Sequence, residues 1–188
     1  MKRLSLYLFL ILFTLHTSSQ ADDIRDLEIE GMSIGDSLLD YYSKDKINND
    51  FAITEYEIPE KNKYKRIYIE TETFENFQYV SIDVKYDDLK YIIHGITGMD
   101  DFSDSKKCFE KQNKIIKDLS SMFNQKPKKY TRPSVYDETG ESLLHNVDYY
   151  FNKGRVGIIC YDYAEHTNIT SGLDLTIRSK EFQDWLNS

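Results

Sequence analysis

Two blocks of alternating residues, separated by one long stretch of helical period, constrain what this chain can fold into. Tyr64-Lys65-Arg66-Ile67-Tyr68-Ile69-Glu70 and Tyr79-Val80-Ser81-Ile82-Asp83-Val84-Lys85-Tyr86 alternate, the period of a strand with one buried face. Asp87-Asp88 marks a turn and 90–96 follows as a third strand, so 78–97 reads as a hairpin. The alternation resumes at 128–136, 145–151, 155–163 and 173–178, with turns at Glu138-Thr139-Gly140 and Lys153-Gly154. Short turns between strands make neighbours antiparallel. The predicted class is α+β: an antiparallel sheet with one long amphipathic helix packed on a face and short helices at both ends.

The long helix opens at Ser103 or Asp104 and runs to about residue 124, where Lys126-Pro127 ends it. Cys108, Ile115, Leu119 and Met122, with Phe109, Ile116 and Phe123, form its apolar stripe. At the front, GMSIGDSLLDYYS (31–43) reads as a first helix capped by Ser33, with Ile34, Leu38, Tyr41 and Tyr42 on one side. A short turn of helix follows at 44–49. Ser179 caps a last helix that docks through Phe182, Trp185 and Leu186.

Lys2 and Arg3, the apolar run 4–15 and Ser19-Gln20-Ala21 have the layout of a secretory signal. We therefore expect residues 1–21 to be a cleaved signal peptide and 22–188 a single α+β domain, long enough for a real core. The apolar run falls short of the roughly 20 residues that span a bilayer, so no transmembrane anchor is expected after cleavage. The chain is then periplasmic or extracellular. In such a compartment Cys108 and Cys160 are more simply bonded to each other than free. Because Val156, Ile158 and Cys160 share one face of their strand, that face would lie under the long helix.

The chain carries a net charge of −8, and loss of Lys2 and Arg3 would deepen it. Nucleic acid is a poor partner for such a surface. Residues 106–132 nevertheless hold nine basic side chains against Glu110 and Asp118. Lys126, Lys128, Lys129 and Arg132 form the candidate docking patch, suited to an envelope protein or an anionic envelope component. A solvated helix face accounts for the same lysines.

No catalytic signature stands out. His94, His145 and His166 show no metal-ligand spacing, Asp100-Asp101-Phe102-Ser103-Asp104 lacks the order of a calcium loop, and GxSxG is absent. No metal, cofactor or catalytic residue is assigned. Tyr41, Tyr42, Tyr149, Tyr150, Tyr161 and Tyr163 are candidates to line a sugar or peptide groove, and core packing explains them equally well. Asn168-Ile169-Thr170 matches a glycosylation sequon.

The run Ile29-Glu30-Gly31-Met32-Ser33-Ile34-Gly35-Asp36-Ser37-Leu38-Leu39-Asp40-Tyr41-Tyr42-Ser43 resembles the opening of a family of exported, uncharacterised bacterial proteins. A fainter likeness covers the Cys108 helix and Ile159-Cys160-Tyr161-Asp162. Gly31-Met32-Ser33 is also similar to the start of small periplasmic domains of the outer-membrane-assembly lipoprotein and β-lactamase-inhibitor-like type, although this chain lacks a lipobox Cys and has more strands. The resemblance implies export and no activity. The expected function is a non-enzymatic interaction or binding module, with an envelope-directed hydrolase as the alternative.

Overall fold

The computed structural model describes residues 23–55, 63–123 and 125–188; the proposed signal segment lies outside them. Among the described residues three α-helices, α1 (Lys44–Asn49), α2 (Ser105–Met122) and α3 (Lys180–Leu186), accompany ten strands. The strands are β1 (Glu28–Ile29), β2 (Met32–Ser33), β3 (Ala52–Glu55), β4 (Tyr64–Glu70), β5 (Tyr79–Lys85), β6 (Ile93–Phe102), β7 (Lys128–Pro133), β8 (Leu143–Phe151), β9 (Gly154–Asp162) and β10 (Ser171–Ser179). β1 and β2 form a small hairpin, and the other eight make one antiparallel sheet ordered β3-β4-β5-β6-β10-β9-β8-β7. Two four-strand meanders thus meet where β6 pairs β10, with Ile96 opposite Ile177 and Gly98 opposite Leu175. The α+β class holds. β3 is a strand that the alternation had not revealed.

One sheet face carries Ile67, Ile69, Val80, Ile82, Ile96, Val147, Tyr149, Val156, Ile158, Cys160, Leu173 and Ile177, all buried. Its cover comes from two sources. α2 lies across β9, β10 and β6, and the N-terminal segment contributes Ile24, Leu27, Ile29, Met32, Leu38 and Ile47 to the same core. Fully burying one such aliphatic side chain contributes about 1.5–3 kcal/mol. Cys108 of α2 is bonded to Cys160 of β9, with 5.9 Å between their α carbons and both side chains buried, on the face expected for them. Within α2 the polar Gln112 is buried and donates to the His145 carbonyl at 2.8 Å, whereas Met122 is exposed.

The predicted helix over 31–43 does not form. Gly31 and Gly35 adopt φ of 77° and 98°, and Glu30 sits at 51°, left-handed values that no α-helix continues through. Met32–Ser33 pairs with Glu28–Ile29 instead. The Asp36 carboxylate accepts from the Ser33 amide at 2.9 Å, and only Leu38–Asp40 winds into a 3₁₀ turn, capped by Ser37. The third strand also shifts. Asp88 accepts from the amides of Lys90 and Ile92, and Tyr91 has φ 50°, so β6 starts at Ile93 and runs through Asp100 and Asp101. Asp104 then caps α2, accepting from the Lys106 amide at 2.8 Å. The strand expected over 128–136 stops at Pro133.

The opposite face is built differently. At its far end α3 sets Phe182 and Trp185 on Tyr64, each ring 4.8 Å from the tyrosine ring. Gly95 permits this approach, because a β carbon there would stand 2.5 Å from Asp83 Oδ2 and 2.8 Å from the Phe182 ring. Charged pairs come next: Arg66 donates to both Asp83 oxygens at 2.8 and 3.1 Å, and Arg155 Nε donates to Asp148 at 3.0 Å.

Candidate ligand cleft

α3 contacts β9, β10 and β6 and reaches Tyr64 of β4, so it crosses the sheet at the end where β10 finishes and β4 begins. The near end of that face therefore stays open, and a cleft of about 800 Å³ occupies it. Side chains of period two supply the wall from the sheet: Tyr68 of β4, Tyr79 of β5, Met99 and Asp101 of β6, Asp174 of β10 and Tyr161 of β9. The register puts Tyr79 and Asp174 on either side of Met99. Gly172 stands opposite Tyr161, and a β carbon there would come within 2.9 Å of the Asp100 carbonyl oxygen. The second set of lining residues, Tyr42, Lys46, Asp50 and Phe51, comes from α1 and its flanks.

Rings dominate this lining. Tyr161 and Tyr163, two apart on β9 and its exit, stack with planes 7° apart and centroids at 6.0 Å. Tyr42 meets Phe51 edge to face at 5.0 Å and 89°. The Lys46 ammonium lies over both of those rings, 5.5 and 5.9 Å from their centroids.

The charge of the cleft is opposite to that of the 106–132 stretch. Asp50, Glu70, Asp101 and Asp174 line it, and Lys46 is the basic residue among the described lining residues. Asp100 lies alongside, but its carboxylate turns to the other face and pairs with Lys111. The Tyr161 hydroxyl donates to Asp174 Oδ2 at 2.8 Å. Burial pushes the Asp174 carboxyl above its ordinary range, against the Tyr161 hydrogen bond and the nearby Arg66 and Arg178 charges. Burial, and then the Asp174 charge, drives the Tyr161 phenol far above its usual range, which keeps it a neutral donor.

The sequence-predicted residues distribute unevenly over this geometry. Tyr42, Tyr161 and Tyr163 line the cleft. Tyr149 is buried on the α2 face, bonded to Ser120 at 2.8 Å. Tyr150 is exposed near Asp148, and Tyr41 donates to Asp36 at 2.7 Å. Lys128, Lys129 and Arg132 lie on β7, an exposed edge strand two strands from Tyr161; Lys128 and Arg132 point to the cleft side of the sheet and Lys129 to the other. Lysines and a proline on such an edge also discourage pairing with another chain. Lys126 is in the loop before it.

The three described histidines occupy separate places, none among the described lining residues. His94 packs on Tyr64 near Glu181, and burial lowers its pKa. His145 packs edge-on against Phe109. His166 Nε2 stands 3.3 Å from Asp137. Among the described residues no group of three or more His, Cys, Asp or Glu side chains is placed to hold a metal ion, and no helix is long and apolar enough to cross a membrane. Sequence reasoning missed Tyr68, Tyr79, Asp101 and Asp174. Their signal was present as polar and aromatic residues on the strand positions opposite the aliphatic ones. No family model, no curated protein and no solved structure matches this chain.

Proposed function

We propose that this chain is an exported, non-enzymatic binding module, acting in the periplasm or outside the cell, and that its ligand sits in the tyrosine-lined cleft. The observation that carries the reading is the open end of the sheet face: a concave site of drug-ligand size, with aromatic walls and the carboxylates of Asp50, Glu70, Asp101 and Asp174, beyond the end that α3 covers. The envelope-directed hydrolase has half of its pattern there. Asp174 is a carboxyl with a raised pKa, whereas no histidine stands beside it among the described lining residues, and its hydroxyl neighbour Tyr161 is held neutral.

Backbone amide shifts recorded during titration with a panel of small cationic, polyhydroxylic and anionic compounds test this. Perturbations should cluster at Tyr68, Tyr79, Asp101, Tyr161 and Asp174, with every compound recovered unchanged. Perturbations confined to the rest of the molecule, or their absence throughout the panel, would refute the cleft; turnover of a bound compound would establish the hydrolase.

The exposed basic edge, Lys128, Lys129 and Arg132 with Lys126, is the second surface. It is suited to an anionic envelope component. Reversing these four charges should abolish sedimentation with anionic vesicles and leave the cleft shifts unchanged.

A further inference from the structure

We propose that the cleft selects an organic ammonium ion, a quaternary or alkylated amine on a larger body; this rests on the cleft being the ligand site. Two perpendicular rings, Tyr42 and Phe51, already hold an ammonium, because Lys46 Nζ lies within 6 Å of both centroids. A cation over a ring face is attracted by the negative quadrupole of the ring. Lys46 is exposed, so its ammonium occupies the corner from the solvent side as a tethered, displaceable occupant. The Tyr161–Tyr163 stack, with Tyr68 and Tyr79, continues the aromatic lining.

Charge then selects among ligands that rings would accept. The carboxylates of Asp50, Glu70 and Asp101 line the cleft and are exposed, so they repel an anion and attract a cation in a manner that salt screens. A neutral sugar would stack on the same tyrosines and donate hydroxyl hydrogen bonds to the carboxylates, but it would leave their net charge unbalanced. The volume, about 800 Å³, is that of a site for a drug-sized ligand. The ammonium is therefore one end of the ligand, and its body extends along the sheet toward Tyr161.

The test uses benzyltrimethylammonium and its neutral carbon isostere, neopentylbenzene, titrated into the oxidised protein and followed by amide shifts and calorimetry. The cation should bind at least ten-fold more tightly than the isostere, with affinity falling as salt rises. Lys46→Met should tighten the cation several-fold by removing the internal competitor, and Tyr161→Ala should weaken it by a similar factor, in variants whose melting confirms the fold. Equal binding of both compounds at the cleft, or a Lys46→Met variant that binds the cation more weakly, would overturn the cation assignment while leaving the cleft in place. If neither compound shifts a cleft residue, the cation assignment fails; if the wider panel also fails there, the cleft reading fails with it.

Discussion

Tyr161 and Asp174 face each other diagonally across the β9–β10 ladder, and the phenol donates to the carboxyl at 2.8 Å. This contact ties together two neighbouring strands in the sheet wall of the cleft. The carboxyl is nearly buried, and its pKa is raised by that burial in spite of the hydrogen bond.

Tyr161→Phe keeps the ring and removes the donor. It should cost about 1–2 kcal/mol, because a buried acceptor loses its partner, and it should raise the Asp174 pKa further. Denaturant melts and an NMR titration of the Asp174 carboxyl measure the two effects. An unchanged Asp174 titration would show that the hydrogen bond does not set its protonation.

Asp148 is 1% exposed and draws on Arg155 for its countercharge. Gly157, opposite Asp148 in the ladder, leaves room for the guanidinium to cross. Arg155→Met should therefore destabilise the fold by about 3–5 kcal/mol by stranding a buried carboxylate. Adding Asp148→Asn should restore a large part of that loss, and a double-mutant cycle in urea reads the coupling.

The Cys108–Cys160 bond spans 52 residues of sequence. Closing a loop of that size constrains the unfolded chain by roughly 3–4 kcal/mol in the chain-entropy model. The Cys108→Ala/Cys160→Ala variant should lose about that much in denaturant melts, and thiol alkylation of the wild type should require prior reduction.

Glu181 ties α3 to the sheet, with its carboxylate 2.9 Å from Lys63 and 3.0 Å from Lys85. Chiefly the Lys63 hydrogen bond, and also Lys85, lower its pKa from 4.5 to about 2, against a smaller burial effect. A depressed acid stabilises the fold above its unfolded pKa, so this contribution is complete above about pH 4.5 and is lost as pH falls toward 2. Glu181 is 45% exposed, and solvent screening keeps the effect small. Trp185 is the chain's single tryptophan and packs in the same cluster. Its fluorescence should change over that interval, and Glu181→Gln should flatten the change.

Local patterns made much of the fold legible. The alternation at 64–70 and 79–86 places β4 and β5, and the shared face of Val156, Ile158 and Cys160 predicts the side of the sheet that meets Cys108. The same kind of reading fails at 31–43. There the spacing of Ile34, Leu38, Tyr41 and Tyr42 is helical, but left-handed glycines at 31 and 35 interrupt it, and propensity alone does not reveal the backbone region a glycine will choose. At β3 the run was too short and too exposed to register as a strand.

The sequence by itself determined the class of the fold and the buried faces of strands such as β4, β5 and β9, because these follow from residue type and a period of two. Only the tertiary structure decided that there is a cleft and what lines it. Tyr42, Tyr68, Tyr79, Tyr161 and Asp174 lie far apart along the chain, and they converge because β6 pairs with β10 and because α3 packs across the other end of the sheet. Both depend on long-range pairing and packing, which no local window of sequence contains.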